Sequence, residues 1–148
     1  MIRFRSFGFL VLSALFVAGC GNSNVGLKGT VTFSDDGSPV TLGTIGFRKD
    51  GMVARGDIKE DGTFVVGFEK EANGLPPGVY DVFLTGTEKA IVTEIGTRES
   101  MGVEQKVHDI KYEPQIAAKY MSADTSGLSI EVTKATKTYD IKVDRYKK

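Results

Sequence analysis

The feature that most constrains this chain is a two-residue rhythm of apolar and polar side chains, repeated in several short runs. In "VGLKGTVTF", Val25, Leu27, Val31 and Phe33 fall on one face and Lys28, Thr30 and Thr32 on the other. "TFVVGF" sets Phe64, Val66 and Phe68 in phase, "GLSIEV" Leu128, Ile130 and Val132, and "YDIKV" Tyr139, Ile141 and Val143. Successive side chains of a strand point to opposite faces, so each run fits a strand with one dry side. "VYDVFLTG" is apolar on both faces, Tyr80, Val82 and Leu84 against Val79 and Phe83, as expected of a central strand.

Asp-Gly turns separate these runs in "SDDGSP", "RKDGMV" and "KEDGTF", where Gly37, Gly51 and Gly62 supply the positive φ that tight hairpins demand. The pattern predicts seven strands, near 25–33, 43–49, 52–58, 63–68, 78–86, 127–133 and 138–145. Short strands at such spacing predict an all-β fold, a seven-stranded antiparallel Greek-key β-sandwich. Residues 87–126 form a connection too long for a plain hairpin. Within it, Pro114 suits a first helical position and Ile116, Ala117 and Tyr120 share a face, which predicts one short helix over 114–121.

The N-terminus is a separate matter. "MIRFR" carries two arginines and no acid, and "SFGFLVLSALFVAG" is a 14-residue apolar run. Basic start, apolar middle and small residues at the cut is the order of a secretory signal. The run is short of the ~20 residues a helix needs to cross a bilayer, so a permanent span is the weaker alternative. Directly after it stands Cys20, the one cysteine of the chain. Val17, Ala18, Gly19 and Cys20 resemble the lipobox of bacterial lipoproteins. That resemblance implies lipidation of Cys20 on sulfur, cleavage before it and acylation of the new amino group. Two or more acyl chains hold a protein stably at a membrane, at ~0.8 kcal/mol per buried CH₂. The expected organisation is a signal peptide over 1–19, a lipidated Cys20 with a short tether over 20–24, and one domain over 25–148. The mature chain then has 17 basic and 19 acidic residues, a net charge of −2, with no basic patch to suggest nucleic acid.

A second likeness lies in the domain. "LKGTVTF", "DGSPV", "ARGDIKEDGTF", "PPGVYDV" and a late Lys119-Tyr120 followed by "TSGLSIEV" (125–132) resemble bacterial lipoproteins with a transthyretin-like, carboxypeptidase regulatory-like domain. The matching stretches cover 25–86 and 114–145. They are hairpin and core signatures, so the resemblance implies a prealbumin-like sandwich and a non-enzyme, while Glu88–Glu113 has no counterpart in the pattern.

Little in the chain offers chemistry. The single histidine, His108, has no partner histidine, and neither a Gly-x-Ser-x-Gly, a phosphate loop nor a Cys-x-x-Cys occurs. No catalytic residue, cofactor or metal site is therefore expected. Asp57, Glu60 and Asp61 crowd one turn without calcium-loop spacing and read as turn formers. A Lys28–Asp140 isopeptide bond is excluded because both residues fall out of phase with their apolar neighbours and should face water. Pro76 and Pro77 read as an extended strand entry, and Tyr80 and Tyr120 as core rather than a sugar-stacking surface.

The expected function is thus a membrane-anchored, non-catalytic binding or structural module of the bacterial cell envelope, with a small-ligand or carbohydrate carrier as the alternative. Gly21 after Cys20 gives no acidic retention signal, which favours the outer over the inner membrane. The long connection is the expected place for an envelope partner, through Ile91, Val92, Ile95, Met101 and Val103, because long loops on rigid sandwiches carry binding residues. The competing expectation is a strand or hairpin that covers a sheet edge.

Overall fold

Asp50 and Gly51 take φ values of 50° and 78°, the paired left-handed conformation of a two-residue hairpin turn, and around them the chain folds back on itself. They join β2 (Thr44–Lys49) to β3 (Met52–Asp57) in register from Thr44↔Asp57 to Lys49↔Met52. The computed structural model describes residues 24–67 and 73–147. Its remaining strands are β1 (Lys28–Phe33), β4 (Thr63–Val65), β5 (Gly78–Thr85), β6 (Glu88–Ser100), β7 (Val103–Pro114), β8 (Leu128–Val132) and β9 (Ile141–Val143).

Seven of the nine build the sandwich. One sheet has the order β4-β1-β9 and the other β3-β2-β5-β8, while β6 and β7 pair only with each other. The all-β, Greek-key sandwich expected from the alternation is therefore what forms, and Gly37, Gly51 and Gly62 all have positive φ. One pairing departs from the antiparallel rule. β9 lies parallel to β1, Val31 opposite Ile141 and Phe33 opposite Val143.

The dry faces meet between the sheets. Phe47 of β2 packs against Phe64 of β4 with ring centroids 6.2 Å apart and against Tyr139 at 6.3 Å. Val25, Leu27, Val31, Phe33, Val66, Val132, Ile141 and Val143 are buried in the predicted phase, and Leu128 and Ile130 pack against this core half-buried. Phe68 lies outside the described residues. Tyr80 and Tyr120 are buried as expected, their hydroxyls donating to the Pro76 carbonyl at 2.8 Å and to Asp144 at 3.1 Å.

Three expectations need correction. β5 is central in its sheet, yet its outer face is not dry: Val79 is exposed, and Phe83 is half-buried, its ring lying against Gly46. That side of the sheet carries the Arg48–Asp81 and Arg48–Asp124 ion pairs, so a central strand here has one dry face. The helix over 114–121 is reduced to a single 3-10 turn, Ala118–Met121. Pro114 closes β7, and Ile116 is held extended by its bridge to Arg145, with Ala117 N–H donating to the Asp144 carbonyl at 2.9 Å. Two turns of helix are too short to persist against such backbone pairing. The long connection, finally, is no open loop: it contains the hairpin of the competing expectation, with strands 13 and 12 residues long.

The two ends of the sandwich differ. Val25 and Leu75 exchange backbone hydrogen bonds of 2.7 and 2.8 Å, which ties the described start of the chain to the entry of β5. From there β5 runs to Thr85 at the opposite end, where the β6–β7 hairpin leaves. The 133–138 loop and the β2–β3 turn lie at the first end, because Val132 faces Gly78 and Arg48 faces Asp81.

Candidate functional site

The hairpin is held at its base by the sandwich and by nothing beyond it. Thr87 is buried, and its carbonyl accepts from Gln115 Nε2 at 2.9 Å across the two strand roots. Tyr146 N–H donates to the Gln115 carbonyl at 2.9 Å, and Ile116 beside it is fully buried. Past that clamp, residues 89–99 and 101–113 are all exposed, on both faces of the ribbon. At ~3.4 Å per residue the strands reach about 40 Å. The result is an arm standing off one end of the sandwich.

Register decides which side chains meet on it. Pairs run Glu88↔Pro114, Ala90↔Tyr112, Val92↔Ile110 and Glu94↔His108, then after an irregularity at Ile95 Gly96↔Val107 and Glu99↔Glu104. One face of the root half therefore carries Ala90, Val92, Ile110 and Tyr112 as two adjacent cross-strand pairs. Their neighbours give them no cover: Val92 is 59%, Ile110 52% and Tyr112 69% exposed. The same face toward the tip carries Glu94, Glu99 and Glu104, with Lys106 bonded to Glu94 at 2.9 Å. Glu99 directly opposite Glu104 places like charges together, which disfavours the free ribbon. The reverse face carries Lys89, Arg98 and Lys111 among Asp109 and Glu113.

The residues expected to form an interaction loop are thus on an arm, and they do not form one patch. Val92 belongs to the apolar face, Ile91 and Val103 to the reverse face, Ile95 to the irregularity, and Met101 to the tip. Ile110 and Tyr112 complete the patch and escape a reading by sequence, because only the strand pairing brings them beside Val92 and Ala90. The edge-cover expectation is corrected as well, since β6 and β7 pair with no strand of the sandwich.

Elsewhere several surface carboxylates are paired. Asp144 accepts from Lys119 at 2.7 Å, Ser34 at 2.8 Å and Tyr120 at 3.1 Å, and these bonds, that from Lys119 first, hold its carboxyl down at about 2. Asp36 is held at about 2 by the Ser38 hydroxyl and N–H, with a contribution from Arg145. Arg145 also bridges Asp35 at 2.8 Å and stacks 3.7 Å over Phe33. Lys28 and Asp140 are both exposed, as their phase required, and Asp140 accepts from the Thr30 N–H and hydroxyl. Among the described residues no group of three or more His, Cys, Asp or Glu is placed to hold a metal. The concave aromatic cluster that a carrier needs is not supplied by Tyr80 and Tyr120, which are core. Val17, Ala18, Gly19 and Cys20 lie outside the described residues, and no described helix is long and apolar enough to cross a membrane.

No protein-family model matches the chain, and no curated protein does. Among solved structures the chain is similar to the major pilin subunit of Bacillus cereus, at 12% identity over 84% of this chain, with a TM-score of 0.42. The chain spans only 30% of that pilin's length, a likeness too faint to bear on activity or partners.

Proposed function

We propose that this protein is a lipid-anchored module of the bacterial envelope that performs no catalysis and holds its β6–β7 arm out to an envelope protein. The anchor rests on the lipobox-like residues Val17 to Cys20, and the transthyretin-like assignment on the hairpin and core motifs of the sequence. The observation that carries the binding role is the arm itself. A two-stranded hairpin is marginal in water, and apolar side chains gathered on an exposed face are the mark of an interaction surface. Ala90, Val92, Ile110 and Tyr112 make such a face, with an acidic tip beyond it. The arm also leaves the end of the sandwich opposite Val25, so a tether at Cys20 would direct it away from the lipid.

The test is a trimmed protein in which 89–113 is replaced by a short Gly-Ser linker. In envelopes treated with a cross-linker, the trimmed protein should stay with the membrane fraction and lose its cross-linked partner. Retention of the same partner would move the binding surface to the sandwich.

A further inference from the structure

We propose that the tether end of the sandwich is a docking face for an anionic lipid bilayer, with Lys28, Lys134 and Lys137 contacting the headgroups. The proposal rests on the reading of Cys20 as the lipid-bearing first residue, because that reading fixes which end meets the membrane.

Three strands of observation meet there. The first is reach. Five residue steps from Cys20 to Val25 span at most about 18 Å, so the end that carries Val25 cannot stand far from the lipid surface. The second is charge. Lys28 opens β1, and its N–H donates to the Lys137 carbonyl at 3.3 Å, which sets the two lysines side by side at the 133–138 loop. Lys28, Lys134 and Lys137 are all exposed, and among the described residues none of them is in an ion pair. Lys49, also at this end, is occupied: it donates to the Pro77 carbonyl at 3.2 Å and lies over the Tyr80 ring. The described carboxylates nearby are Asp50, Glu131, Asp81, which is paired with Arg48, and Asp140, which shares a groove with Lys28 and already accepts from the Thr30 N–H and hydroxyl. At the far end acids outnumber bases, with Asp35, Asp36, Asp57, Glu60, Asp61 and Asp144 against Lys59, Lys119, Lys142, Arg145 and Lys147, and the arm adds its acidic face. An anionic surface therefore attracts the three unpaired lysines and repels the acidic face of the arm, which holds the arm upright.

The third is shape. A groove of about 440 Å³ runs between Lys28 and Lys137, with Gly26, Leu27 and Val65 as its floor. An apolar floor with a cation on each side matches the junction of a phosphate and its glycerol ester. Met52 at the start of β3 and Val79 at the start of β5 are 51% and 62% exposed at the same end, placed to enter the interfacial layer. A lysine near an anionic surface strengthens attachment on the order of fivefold, an effect that salt screens.

The test uses the mature protein purified from membranes in detergent and mixed with two kinds of vesicle, phosphatidylcholine alone or with a minority of phosphatidylglycerol. Flotation reports attachment, and an amine-reactive label read by mass spectrometry reports lysine exposure. The expected result is flotation with both vesicles, and protection of Lys28, Lys134 and Lys137 several-fold on the anionic vesicles alone. Lys89 and Lys111 of the arm should label equally on both, and high salt should abolish the protection. The double variant Lys134→Gln/Lys137→Gln, confined to an exposed loop, should lose most of the protection of Lys28. Flotation with both vesicles and equal labelling would overturn the docking face and leave the anchor standing. Flotation with anionic vesicles alone would keep the face and remove the anchor, and flotation with neither would remove both. Protection found in intact envelopes but on neither vesicle would assign the face to a protein and overturn the proposal.

Discussion

Trimming the arm at its root should leave the sandwich as stable as before, or slightly more so. Glu88 and Pro114 lie directly opposite each other, so residues 89–113 can be replaced by a Gly-Ser linker of about four residues with the Thr87–Gln115 clamp intact. Among the described residues no buried side chain is lost, since residues 89–99 and 101–113 are exposed. What changes is loop closure: each doubling of a loop costs ~0.6 kcal/mol, and the replacement removes about two and a half doublings, so a gain of roughly 1.5 kcal/mol is the upper expectation. Were the arm packed on the sandwich, removing Ile91, Val92, Ile95, Ile110 and Tyr112 from a core would cost about 1.5–3 kcal/mol each, on the order of 10 kcal/mol together. Urea unfolding separates the two cases, and the slope should change little because the arm is already in water. A fall in stability beyond about 2 kcal/mol, or a protein that no longer folds, would refute the reasoning.

Other expectations follow from the same geometry. Phe64→Ala empties a site against Phe47 and should cost about 3–5 kcal/mol in urea melts, whereas Lys28→Ala and Lys142→Ala should stay within about 0.5 kcal/mol; equal losses would mean the strand phases are wrong. Asp36 and Asp144 have folded values of about 2 against an ordinary 3.8, so their contribution is present above the ordinary value and lost as pH falls through the folded one. Melting temperature should accordingly drop between about pH 4 and pH 2, and Asp144→Asn should flatten that drop; an unchanged acid profile in the variant would contradict the assignment. Cys20→Ser should leave the protein without lipid or stall its processing, and mass spectrometry of the mature N-terminus decides between lipid on Cys20 and some other first residue.

The sandwich was legible because its strands bury one face each, and burial imposes period two on Leu27, Val31 and Phe33 as on Ile141 and Val143. The arm lacked that signal for the same reason turned around. With both faces in water, β6 and β7 are free to mix Ile91 with Val92 and Lys111 with Tyr112, and no alternation survives. Its turn was also disguised. Met101 and Gly102 take φ values of 53° and 75°, the conformation usually given to Asn-Gly or Asp-Gly, with methionine in the first place. The parallel pairing of β1 with β9 could not be read either, because parallel and antiparallel neighbours leave the same alternation in a short strand. Length and apolar content did mark 88–113 as the segment of interest. Which of its side chains share a face depended on register, and so Ile110 and Tyr112 emerged only with the fold.

The proposed role requires the arm's apolar face to meet another protein in the envelope. A photo-cross-linking residue placed in turn at Val92, Ile110 and Tyr112, and at Val79 on the sandwich, measures this directly in growing cells. The account predicts one discrete adduct of the same mass from all three arm positions and none of that mass from Val79. Adducts from Val79 alone, or arm positions that cross-link only to the protein's own sandwich, would contradict it.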